Sequence, residues 1–135
     1  MFNTPITPTY KTRLLFGLLL MIGLLSCGKE KDESPPGLNI SAPVEGQVKN
    51  FLDVNFTFGD YHLASMDISI NKSSDNSVLF SRHNTYSTVQ NDSFSQGFTL
   101  SALGLTATTQ VKVNITVTDE GRNVTSKTIN CTITP

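Results

Sequence analysis

Gln110-Val111-Lys112-Val113-Asn114-Ile115-Thr116-Val117-Thr118-Asp119 is the most regular stretch of the chain, with β-branched apolar residues at odd positions and polar residues between them. Successive side chains of a strand point to opposite faces. Val111, Val113, Ile115 and Val117 are therefore expected to face a core, and Lys112, Asn114, Thr116 and Thr118 to face water. One buried and one wet face is the pattern of an antiparallel sheet. Directly behind this stretch, Glu120-Gly121-Arg122-Asn123 reads as a turn, with Gly121 and Asn123 the residues suited to positive φ. A closing strand follows, carrying Ile129, Cys131 and Ile133 on one side. Val124 falls out of their phase, and a bulge between Val124 and Ile129 is expected to reconcile them.

Going back from the central stretch, the same period of two recurs in short runs separated by Gly, Asn, Asp and Ser. Leu52, Val54, Phe56 and Phe58 alternate with Asp53, Asn55 and Thr57, and the run stops at Gly59-Asp60. Met66, Ile68 and Ile70 alternate with Asp67, Ser69 and Asn71 and stop at Lys72-Ser73-Ser74-Asp75-Asn76. Further strands are expected at Val78 to Arg82, Phe94 to Leu100 and Leu38 to Ala42, with a short one near Val48. About seven strands in about one hundred residues are too many for one flat sheet, and two sheets face to face are the economical solution.

Composition excludes several functions. The chain has 135 residues, two cysteines and no tryptophan. Without residues 1 to 26 it loses two of its ten basic residues, Lys11 and Arg13, and none of its eleven acids, leaving a formal charge of −3. No basic stripe is present to neutralise phosphates, so no nucleic-acid partner is expected. There is no CxxC, HExxH or GxSxG, and His62 and His83, the two histidines, read as loop or edge residues. Neither a metal, a cofactor nor catalysis is expected. Cys131, in phase with Ile129 and Ile133, should act as a small core residue. Asn55-Phe56-Thr57, Asn114-Ile115-Thr116 and Asn123-Val124-Thr125 match a glycan acceptor triplet. They follow more simply from strands rich in Asn and Thr.

The N-terminus states a compartment. Lys11 and Arg13 precede a run of about a dozen apolar residues, Leu14 to Leu25, the h-region length of a secretory signal and short of the about 20 that a spanning helix needs. The run ends in Leu24-Leu25-Ser26-Cys27, which resembles a bacterial lipobox. That resemblance implies a diacylglyceryl group on the Cys27 thiol and cleavage before it, so that residues 1 to 26 form a signal helix that is removed. Residues 27 to 37, Cys-Gly-Lys-Glu-Lys-Asp-Glu-Ser-Pro-Pro-Gly, are polar, charged and closed by helix breakers, and read as a flexible linker. Lys31-Asp32-Glu33 resembles the acidic export signal of Bacteroidetes surface lipoproteins, and Gly28 lacks the Asp of an inner-membrane retention signal. Both imply an outer-membrane anchor facing the exterior, with the membrane itself the first partner.

Residues 38 to 135 resemble the immunoglobulin-like modules of bacterial surface proteins. The resemblance rests on Ala42-Pro43-Val44-Glu45-Gly46, Phe56-Thr57-Phe58-Gly59-Asp60 and, most of all, Val117-Thr118-Asp119-Glu120-Gly121-Arg122-Asn123. It implies an all-β, immunoglobulin-like antiparallel sandwich, although the tryptophan and cysteine pair of antibody domains are absent. In such a sandwich the loop after the second strand and the loop before the last strand meet at one end. Asp60, Tyr61 and His62 should then lie near Asp119, Glu120 and Arg122. The functional reading is a ligand patch or a hard-cation site of carboxylate oxygens. The plainer reading is turn chemistry, because tight turns use Asp and Gly. Taken together, the residues point to a lipid-anchored module that binds a protein or glycan, or to a structural accessory of an outer-membrane complex without a ligand of its own.

Overall fold

The computed structural model describes residues 34–135. Cys27 and the signal segment lie outside them. The order is β1 (Gly37–Ala42), β2 (Val48–Lys49), β3 (Phe51–Gly59), β4 (Leu63–Lys72), β5 (Val78–Thr85), β6 (Asn91–Thr99), a 3-10 turn (Ser101–Leu103), β7 (Thr109–Asp119) and β8 (Val124–Ile133). No α-helix occurs among the described residues. Two sheets form, one ordered β1-β3-β6 and the other β2-β8-β7-β4-β5.

The alternation that predicts the strands also builds the core. Leu52, Val54, Phe56 and Phe58 of β3 and Phe94 and Phe98 of β6 face Met66, Ile68 and Ile70 of β4 and the four odd-numbered apolar residues of β7, all of them buried. Phe56 stacks on Phe94 at 5.3 Å between ring centroids. Cys131 and Ile133 complete the core on β8. At the open side between the sheets, the inner face of β5 reaches over to β6: Phe80 meets Phe98 edge-on at 4.8 Å and the Arg82 guanidinium lies over the Phe94 ring at 5.7 Å.

The pairing order goes beyond what periodicity gives. In the antibody constant-type fold the strand after the third joins the opposite sheet, whereas β5 stays paired with β4 from Ser65↔Thr85 to Asn71↔Val78. The short β2 runs parallel to β8, Val48 opposite Thr132. One expectation is overturned. β8 pairs with β7 in unbroken register from Thr118↔Val124 to Thr109↔Ile133, so no bulge separates Val124 from Ile129. Val124 is simply on the outer face, 53% exposed. Its parity places it there, and an isolated exposed valine at a strand end needs no backbone adjustment.

Candidate functional site

The two loops expected to meet do meet. The Glu120 N–H donates to the His62 carbonyl at 2.9 Å, and the Asp60 N–H donates to the Gln90 carbonyl at 2.8 Å, bringing the β5–β6 loop to the same end. Leu63 stands opposite Asp119 across β4 and β7, so Asp60, Tyr61 and His62 sit beside the β7–β8 turn.

Asp119 is the exception among the six predicted residues. It is 1% exposed, and its two oxygens accept from the Asn123 N–H at 2.8 Å and the Asn123 side-chain amide at 2.7 Å. Its own N–H donates to the Asn123 carbonyl at 3.1 Å, and its carbonyl accepts from the Arg122 N–H at 3.2 Å. This buried carboxylate builds the turn, both of its oxygens being taken by Asn123. Asp60 also serves its own loop, one oxygen accepting the His62 N–H at 3.2 Å, the local bond by which Asp favours turns. Among the described residues no group of three His, Cys, Asp or Glu side chains stands close enough to hold a metal ion.

Tyr61, Glu120 and Arg122 are left presented to solvent. Tyr61 is 71% exposed and meets the His62 ring edge-on at 4.5 Å. The residue with positive φ is Arg122, at 68°, and neither Gly121 nor Asn123 takes that role. The left-handed region is costly for a side chain with a Cβ, and the bonds that Arg122 and Asn123 donate to Asp119 hold the turn in that form. The arrangement offers one aromatic face, one forked cation and one carboxylate, all exposed at one end of the sandwich.

Sequence reasoning missed a second polar constellation, on the outer face of the five-stranded sheet. His83 stands directly opposite Asp67, with Nδ1 and Oδ1 2.6 Å apart. Thr116 and Ser126 continue this row across β7 and β8, their hydroxyls 3.0 Å apart. The adjacent row runs Ser81, Ser69, Asn114, Thr128, in which the Asn114 amide donates to Ser69 at 3.2 Å and Thr128 donates to Asn114 at 2.9 Å. The signal was parity: once β4 and β5 are joined by a hairpin, Asp67 and His83 fall opposite one another. Asp67, Ser69, Ser81, His83, Asn114 and Thr116 line a shallow groove.

No family model matches the chain, and no curated protein matches it. Solved structures do. An engineered protein matches with a TM-score of 0.46 at 14% identity, over 74% of this chain and 20% of that chain. OgpA from Akkermansia muciniphila matches at 0.47 and 12% identity, over 78% and 30%. Its catalytically inactive form, in complex with the O-glycopeptide substrate glycodrosocin, matches at 0.46 and 11%, over 78% and 31%. This chain thus spans between a fifth and a third of the length of those chains.

Proposed function

We propose that the protein is a non-enzymatic binding module of a Bacteroidetes-type lipoprotein, anchored at the outer membrane through lipid on Cys27 and carrying its contact surface on the Tyr61, His62 and Arg122 loop end. The observation that carries the reading is the joined loop end. Its carboxylate Asp119 is spent on the turn, while Tyr61 and Arg122 are held outward on backbone fixed by hydrogen bonds. A tyrosine ring supplies a stacking face and arginine a planar fork for carboxylates, phosphates or sugar hydroxyls. The test is affinity capture from the native envelope with full-length protein. Changing Tyr61 and Arg122 together to Ala should abolish capture without lowering the unfolding temperature, and undiminished capture would refute the site. Intact mass of the purified chain tests the anchor: Cys27→Ser should leave it uncut and without lipid.

A structural accessory is the second reading. What favours it is the outer sheet face, whose Ser, Thr and Asn side chains largely bond to one another and leave few donors for a ligand. Under that reading the envelope yields no captured partner at all.

A further inference from the structure

The chain joins the domain at a definite place. Pro36 is buried, and its carbonyl accepts from the Thr125 hydroxyl at 2.6 Å, while the Ser34 carbonyl accepts from the Asn123 amide at 3.4 Å. Gly37 then opens β1 opposite Gly59, the residue before Asp60. The residues that lead in from the N-terminus are thus bound to the same end of the sandwich that carries Tyr61, His62, Glu120 and Arg122. The opposite end carries the β4–β5 turn, where the Ser73 N–H donates to the Gln110 carbonyl at 2.9 Å.

Covalent reach gives this a consequence. Cys27 precedes Ser34 by seven residues, which span about 25 Å at most. The eleven residues of β7 extend over roughly 36 Å between the two ends. A lipid on Cys27 therefore keeps the loop end close to the bilayer, because a tether shorter than the domain cannot let it stand on its opposite end. From this we infer that the loop end is the membrane-facing surface and that its ligand is the lipid headgroup layer beneath it. The inference rests on the anchoring reading of Cys27 proposed above.

The chemistry of the patch fits that occupant. Tyrosine is favoured at membrane interfaces, where its ring sits at headgroup depth and its hydroxyl stays wet. Tyr61 and Val124, 71% and 53% exposed, supply apolar surface at this end, and Arg122 supplies a fork for phosphate. Glu120 and Asp60 oppose a purely anionic surface. A zwitterionic headgroup, with its phosphate and its amine, complements cation and carboxylates together. The end that carries the β4–β5 turn then points away from the bilayer.

The chain has no tryptophan, so a single one reports cleanly. Lipidated Tyr61→Trp and Ser74→Trp proteins, expressed from the full sequence, are placed in phosphatidylethanolamine vesicles whose acyl chains are brominated near the headgroup, after thermal unfolding shows both variants folded. The expected result is a blue shift and loss of emission for the tryptophan at 61 and neither at 74. Equal quenching at both positions, or none at 61, overturns the inference. Vesicle flotation separates this from the anchor: if the wild-type chain does not float and Cys27→Ser changes nothing, the anchoring reading fails and takes the inference with it. If the chain floats while the reporter at 61 stays unquenched, only the inference fails and the anchoring reading stands.

Discussion

Cys131 shows what one side chain reports about the core. Burial pushes its thiol from an ordinary 9.0 up to about 11, with the Glu45 carboxylate adding to the shift. Because the folded state holds this proton more tightly than the unfolded chain, the contribution to stability is complete below pH 9 and is lost as pH rises through about 11. A thiol reagent at neutral pH should accordingly label Cys131 only at the rate of unfolding. Labelling at the rate of a free thiol would place it outside the core. Asp119 makes the complementary case for a polar residue. Asp119→Ala removes the acceptors of both Asn123 bonds at a buried position, and should cost about 1–3 kcal/mol in denaturant unfolding. A smaller loss would mean that the turn is held by its backbone alone.

At the scale of elements, two devices hold short or exposed pieces in place. The Glu45 carboxylate clasps Asn130, accepting from its N–H at 2.9 Å and its side-chain amide at 3.0 Å. This keeps the parallel strand β2 on β8, where the Thr132 N–H donates to Gln47 and the Thr134 N–H to Lys49. The bonds from Asn130, backbone first and side chain second, hold the Glu45 pKa below the usual range. A lowered carboxylate pKa stabilises the fold above the unfolded value, and that contribution disappears as pH falls through the folded one. Protection of the Thr132 and Thr134 amides, relative to their intrinsic exchange rates, should therefore fall in acid ahead of that of the β7 amides, and at neutral pH in Glu45→Ala. Uniform exchange across both strands would rule the clasp out. On the other sheet, the Phe51 ring covers Gly97 of β6, and a Cβ there would overlap the ring. Gly97→Ala should cost about 1 kcal/mol alone yet become neutral or stabilising in a Phe51→Ala background, since glycine within a strand is itself unfavourable by about 0.5–1 kcal/mol. Additive effects in the double-mutant cycle would deny the contact.

The whole domain is one core closed from both sheets, held by packing and hydrogen bonds with Cys131 as a free thiol. Residues 34–135 should unfold in a single transition with the same midpoint in oxidising and reducing buffer. Val113 is 0% exposed at the centre of β7, and Val113→Asp buries an unpaired charge there, which should leave the domain unfolded at room temperature. Two separated transitions, or a folded Val113→Asp protein, would show that the sheets do not share one core.

Periodicity made the strands and their inward faces legible because alternation is a relation between residues two apart, fully written in the local sequence. The positions of the turns were legible in the Gly, Asn, Asp and Ser clusters that end each alternating run. What the tertiary structure decided involves residues far apart in the chain. Ser69 meets Asn114 and His83 meets Asp67 only because β4 lies between β5 and β7. β5 stays with β4, and β2 runs parallel to β8, at the two edges of the five-stranded sheet, pairings that local alternation does not specify. The expected bulge is absent on the same ground: the apolar type of Val124 suggests a core position, while the regular ladder with β7 sets its face outward. In the candidate site, the residue types were legible, and the meeting of the loops followed from the resemblance to immunoglobulin-like modules. That Asp119 is spent on Asn123 depends on which hydrogen bonds its burial leaves it to make, and only the folded turn contains that information.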